Sequence, residues 1–228
     1  MTGSQLFWTR DVRVFDLDGT LVDTLPDLAH GLNAALADLG LPAVPARLVQ
    51  RSLHGGIEGS VQAALRELRA PPALADMLCS RYELHYQAAP ARLSRPYPGV
   101  PELLERLHLR GQPVAVCTNK PAALARRVLT LTGLAPLVRA VVGADTCVHR
   151  KPHPQPLLHA LALLDARGQR ALLVGDSVVD RDCARAAGVD CLIFGGGYGA
   201  AQAEGPPLFE HYAELLLAEP AGRAVPRP

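Results

Sequence analysis

Short continuous apolar runs recur along the chain, and most are followed by apolar residues at helical spacing. Val12, Val14, Phe15 and Leu17 make the first run and lead into Asp18-Gly19-Thr20. Val114 to Cys117, residues 138–142, Ala171 to Val174 and Cys191 to Phe194 make four more. Between them lie stretches that read as helices, at 100–110, 121–132, 154–164 and 178–187. Strands that are apolar on both faces and alternate with helices predict βαβ units and a parallel sheet.

The segment between the first and second runs differs. A helix is predicted from Pro26 through Leu28, Leu32, Ala35, Leu36 and Leu39 to a stop at Gly40, and a shorter one over 45–53. His54-Gly55-Gly56 breaks the pattern, and helices resume over Ile57 to Leu68 and from Pro72 to about Ala88. No strand is predicted between residues 23 and 92. The expected architecture is α/β, a doubly wound parallel sheet of residues 1–22 plus 93–228, with an inserted all-helical domain at 23–92. The insertion follows the C-terminal end of the first strand, the edge at which open α/β sheets bind ligands. The tail from Glu219 to Pro228 has no periodicity and is expected to fray.

Composition narrows the function classes. Lys plus Arg is 23 against 22 for Asp plus Glu, a net charge of +1, which lacks the electrostatic footprint of a nucleic-acid binder. No apolar run reaches the ~18 residues of a membrane span. Five cysteines form no C-x-x-C, and the N-terminus has no apolar signal region, so a reduced, cytoplasmic location is expected. Oligomeric state is not legible. The basic residues are 21 Arg and two Lys, Lys120 and Lys151. That bias marks both lysines as positions where a compact ammonium is needed.

Candidate chemistry gathers at the strand ends. Alternation puts Asp16 and Asp18 on one side of the backbone, two carboxylates after an apolar strand. A hard divalent cation, typically Mg²⁺, would satisfy both; capping of the following turn is the alternative. Asp176 and Asp180 follow another apolar strand, four residues apart where a loop enters a helix. Asp176 can reach the same metal and Asp180 can support it, whereas N-capping would account for one acid only. Thr118 and Asn119 offer a hydroxyl and an amide before a helix N-terminus, a cradle for an anion or, again, a cap. Lys151 lies in a loop stiffened by Pro152, Pro154 and Pro156, where a cation can neutralise a phosphate. Such a site can transfer phosphoryl groups through an aspartate nucleophile.

These residues resemble the haloacid dehalogenase superfamily. Asp16-x-Asp18-Gly-Thr, Thr118-Asn119, Lys151 and Gly175-Asp176-x-x-x-Asp180 fit its four motifs in order and spacing. The inserted helices look like the superfamily's small cap on a Rossmann-like core. Phe15-Asp-Leu-Asp-Gly-Thr-Leu-Val-Asp-Thr-Leu-Pro-Asp27, Cys117-Thr-Asn-Lys-Pro121, Lys151-Pro-x-Pro-x-Pro156 and Gly195-Gly-Gly-Tyr-Gly199 are similar to the phosphoglycolate phosphatase family within it. The resemblance implies Mg²⁺-dependent hydrolysis of a small phosphorylated metabolite, 2-phosphoglycolate, through an aspartyl-phosphate. It implies Asp16 as nucleophile and metal ligand, and Asp18 as general acid, then base, binding metal through its main-chain carbonyl. Thr118, Asn119 and Lys151 would hold the phosphate, Asp176 would complete the metal site and Asp180 support it.

The chain departs from that pattern in the cap loop, where His54-Gly55-Gly56-Ile57-Glu58-Gly59 replaces Val-Gly-x-Gly, and at Val178 and Val179, where polar residues are usual. The substrate's carboxylate needs a cation, and Arg51, then His54, are the candidates. A sugar phosphate, pyrophosphate or amino-sugar phosphate would suit the same chemistry. A phosphomutase and a non-enzymatic binding module are the remaining alternatives.

Overall fold

Val12–Phe15 forms β1, the central strand of a six-stranded sheet, in the computed structural model, which describes residues 2–166, 170–199 and 205–220. The side chain of His54 and residues 221–228, most of the expected frayed tail, lie outside the described residues. The chain forms two compact units, residues 1–22 with 96–228, and residues 23–95.

In the first unit a short helix, α1 (Gly3–Trp8), precedes β1. Val22–Asp23 (β2) and Arg95–Pro96 (β3) make a two-stranded ribbon where the chain leaves and re-enters this unit. The main sheet adds β4 (Val114–Cys117), β5 (Ala140–Val142), β6 (Ala171–Gly175), β7 (Asp190–Phe194) and β8 (Leu208–Phe209). Its order is β5-β4-β1-β6-β7-β8, and every pairing is parallel. Phe15 lies in register with Val116 of β4 on one side and Val174 of β6 on the other. The chain thus builds outward through β4 and β5, then crosses back to β6. The order reverses at β1, and the crevice beyond its C-terminal end is the switch point at which such sheets hold ligands.

The predicted strands and helices are present. β1, β4, β5 and β6 are buried at every position, as the apolar runs of β4, β5 and β6 require. The predicted strand at 138–142 is shortened to 140–142 because Ala135–Leu137 closes a 3-10 turn before it. Helices α6 (Val100–Leu109), α7 (Ala122–Leu131), α8 (Gln155–Leu163) and α9 (Val178–Ala187) follow the pattern; α8 and α9 help enclose a core of Val12, Val14, Leu157, Leu161, Leu173 and Cys183. None of the five cysteines is paired.

Arg13 breaks the apolar run of β1 and is fully buried. Its guanidinium donates to the Phe7 carbonyl at 2.6 and 3.2 Å and lies 5.0 Å from the Phe7 ring centre, which fastens α1. Burial lowers its pKa to about 10, so it remains charged at neutral pH. The last helix, α10 (Tyr212–Leu217), is joined to α1 by a Trp8 Nε1 hydrogen bond to the Leu215 carbonyl.

The unit of residues 23–95 is helical: α2 (Leu25–Asp38), α3 (Ala46–Ser52), α4 (Gly56–Glu67) and α5 (Ala75–Ala88). Pro26 stands in the first turn of α2, where its missing N–H costs nothing. Within this unit α2 packs against α5, and Gly31 gives the close approach to Tyr82 and Tyr86. Buried Asp27 accepts hydrogen bonds from the Leu93 and Ser94 amides at 2.7–3.0 Å and from the Ser94 hydroxyl at 2.5 Å. No helix among the described residues is long and apolar enough to cross a membrane.

Candidate active site

The sheet's switch point brings together residues from the ends of β1, β4 and β6 and the loop after β5. β1 ends at Phe15, so Asp16 to Thr20 form the turn beyond it, with Gly19 at φ +78°. A side chain at Gly19 would be strained there and would also strike Asp176 and Tyr198.

Lys151 organises one half of the site. Its buried ammonium lies 2.6 Å from Asp180 Oδ1 and 3.1 Å from Asp16 Oδ1. Asp180 uses its other oxygen to accept from the Ser177 amide and hydroxyl, closing a capping box at the start of α9. One side chain therefore both caps the helix and fixes the lysine. Asn119 Nδ2 donates to the Lys151 carbonyl at 3.0 Å, which ties the β4 loop to the lysine loop.

Lys120 organises the other half. Its ammonium lies 2.6 and 2.7 Å from the two carboxylate oxygens of Asp18. The residue pattern suggested one cation serving Asp16 and Asp18 together. Each of these two acids also meets a lysine, Asp18 the Lys120 ammonium and Asp16 the Lys151 ammonium that it shares with Asp180, and one oxygen each of Asp16, Asp176 and Asp180 lie within 4.8 Å of one another. An ammonium shared by both Asp18 oxygens already compensates that charge.

Asp176 is held at both oxygens. Thr20 Oγ1 donates to Oδ1 at 3.2 Å, and the Tyr198 and Gly199 amides donate to Oδ2 at 2.7 and 3.3 Å. The loop can come this close because Gly197 has no side chain; a Cβ there would lie 2.2 Å from that of Asp176.

The electrostatics follow from crowding. Burial raises the Asp16 pKa to about 6; Lys151 opposes this, while Asp180 and Asp18 add to it. Burial raises Asp176 to about 8, with Asp180 and Asp16 adding repulsion. Burial works against the charge of Lys151, but Asp16 and Asp180 outweigh it and hold the ammonium well above the usual lysine range. Three hard oxygen donors whose repulsion one lysine does not relieve fit a hard divalent cation such as Mg²⁺. Desolvation pushes the buried Cys117 thiol far up, and the cluster of possible ligand atoms formed by Asp16, Asp176 and Asp180 includes no cysteine.

Thr118 Oγ1 accepts from the Lys120 amide at 3.2 Å, leaving its own proton to donate. Arg51 belongs to the helical unit, on α3, beside a cleft of about 540 Å³ also lined by Ser52, Gly59, Arg66 and Glu67. The backbone of His54 lies in the 3-10 turn Leu53–Gly55, but its side chain is outside the described residues. The residue pattern marked Lys120 without giving it a task. It also missed Thr20 and the Tyr198 and Gly199 amides, although both segments lie in stretches that it singled out.

Comparison with known proteins places the chain in a family. Residues 13–194 match the family model described as haloacid dehalogenase-like hydrolase. The chain belongs to this family. Among relatives of this hydrolase, the plasmid phosphoglycolate phosphatase of Cupriavidus necator is 40% identical over 85% of this chain and 83% of its own. A phosphoglycolate phosphatase of Cereibacter sphaeroides is 38% identical over 89% and 94%. A crystal structure of a predicted phosphoglycolate phosphatase from Haemophilus somnus superposes with a TM-score of 0.83 at 30% identity, covering 91% of this chain and 97% of that one.

Proposed function

We propose that this hydrolase is a phosphatase that uses Mg²⁺ to cleave small phosphomonoesters, with 2-phosphoglycolate as substrate and glycolate and phosphate as products. The observation that carries the reading is the Lys151 ammonium between Asp16 and Asp180, beside a cluster of three carboxylates. An acid crowded among acids and held by one fixed cation is suited to meet a phosphate rather than a neutral substrate. The names of the relatives at 38–40% identity supply the choice of 2-phosphoglycolate.

Asp16, Asp176 and the main-chain carbonyl of Asp18 would hold the cation, with Asp180 in support. When bound, it would offset the repulsion between an anionic carboxylate and an anionic phosphate. Asp16 attacks phosphorus, and the bond to the alcohol oxygen breaks. Asp18, protonated at that moment, gives its proton to the leaving oxygen. Asp18 then takes a proton from water as the water attacks the aspartyl-phosphate, which returns both acids to their starting states. Thr118, Asn119 and Lys151 bind the phosphate oxygens, and the 23–95 unit acts as the cap that selects the substrate.

Phosphate release from a panel of phosphomonoesters with Mg²⁺ tests the reading. The expected result is the highest kcat/KM for 2-phosphoglycolate, loss of turnover in Asp16→Asn with the fold retained, and loss in EDTA that Mg²⁺ reverses. A profile led by a sugar phosphate or pyrophosphate would replace the substrate. Activity of wild-type size in Asp16→Asn would overturn the mechanism.

A further inference from the structure

We propose that Lys120 is a positioning residue that sets the orientation of the Asp18 carboxylate, a role that rests on Asp18 being the proton donor of the reaction proposed above. Lys120 is only 7% exposed, and its ammonium lies almost midway between the two oxygens of Asp18, at 2.6 and 2.7 Å. One compact cation spanning both oxygens fixes the carboxylate's rotation as well as its place. The backbone that aims this side chain is itself pinned. The Lys120 amide donates to Thr118 Oγ1 at 3.2 Å, and its carbonyl accepts from the Ala144 amide at 3.1 Å. The base of the side chain therefore moves with the ends of β4 and β5, and Asp18 is referred to those strands as well as to β1.

A proton donor is effective only within hydrogen-bond reach of the oxygen it serves. The turn after β1 does not supply that aim by itself, because Asp18 stands outside the strand and its side chain is 22% exposed. Lys120 supplies it. The same chain uses guanidinium at 21 of its 23 basic positions, and a guanidinium fork would engage the carboxylate from farther out.

The test exploits the leaving group. An alkyl phosphate, here 2-phosphoglycolate, needs its leaving oxygen protonated; p-nitrophenyl phosphate leaves as a stable phenolate and does not. The value of kcat/KM reports formation of the aspartyl-phosphate for both. Lys120→Met is expected to lose at least about tenfold more kcat/KM on the alkyl than on the aryl ester, a part of the 10²–10⁴ that a proton donor contributes. Asp18→Asn should show the same selectivity, and the double variant should be no worse than Asp18→Asn. Circular dichroism and thermal melting check folding, and Lys120→Gln is read in the same way should the methionine variant fail to fold.

Equal losses on the two esters would overturn the proposal, as would a raised KM with kcat retained, which would make Lys120 a substrate contact. An Asp18→Asn variant without leaving-group selectivity would instead remove the proton-donor role, and this inference with it. A wild-type protein that releases phosphate from neither ester would remove the phosphatase reading itself.

Discussion

Tyr212 donates its phenolic hydrogen to the carbonyl oxygen of Thr20 at 2.8 Å, joining the last helix to the turn after the first strand. Thr20 in turn donates its hydroxyl to Asp176. Tyr212 is fully buried and packs on Phe194 and Phe209. Tyr212→Phe keeps that packing and removes only the hydrogen bond. It should cost about 1–2 kcal/mol of stability, as for a buried acceptor left without its donor. Urea unfolding measures it; an unchanged midpoint would mean that water replaces the hydroxyl.

The crowded acids predict a pH effect in cation-free protein. Asp16 and Asp176 are raised to about 6 and about 8, against roughly 4 in an unfolded chain. Between these values the folded state holds protons that the unfolded chain has released. The unfolded state binds fewer, so stability falls as pH rises from about 4 through 8. A cation bound to the ionised acids should oppose the fall. Unfolding midpoints at pH 5.5 and 8.5, in EDTA and in Mg²⁺, should show the larger drop in EDTA. Equal drops would speak against a cation at these two carboxylates.

Asp27 satisfies two backbone amides and a hydroxyl inside the helical unit. Asp27→Ala leaves the Leu93 and Ser94 amides without that acceptor and should cost about 2–4 kcal/mol. Hydrogen exchange at those two amides should quicken first. Unchanged protection there would show that the return segment is held by other contacts.

Arg51 is the proposed partner of the substrate's carboxylate. Arg51→Ala should raise KM for 2-phosphoglycolate roughly tenfold, the size of one lost charge-assisted hydrogen bond, with kcat little altered. An unchanged KM would return Arg51 to an ordinary surface role.

The architecture was legible where burial is complete. Strands such as Val114–Cys117 and Ala171–Gly175 are covered on both faces, so their apolar runs have no other economical location. The acids were legible because charge at the end of such a run demands a reason. Pieces such as α1, β8 and α10 were not, since two to six residues are too few to show a period. Arg13 was hidden because a charged residue inside a run reads as an interruption, although the Phe7 carbonyl and ring receive it. Lys120 stood out by rarity. Its pairing with Asp18 depends on β4 lying beside β1, and no local pattern carries that adjacency.

Both lysines of the chain are spent on the site, at 7% and 3% exposure. The outer surface carries its positive charge on guanidinium, which acylating agents leave alone and which stays protonated throughout the working range. Lysine-directed tags, crosslinkers and acetyl donors therefore meet no ε-amine on the folded exterior. Any lysine that does react reports that the crevice beyond β1 has opened.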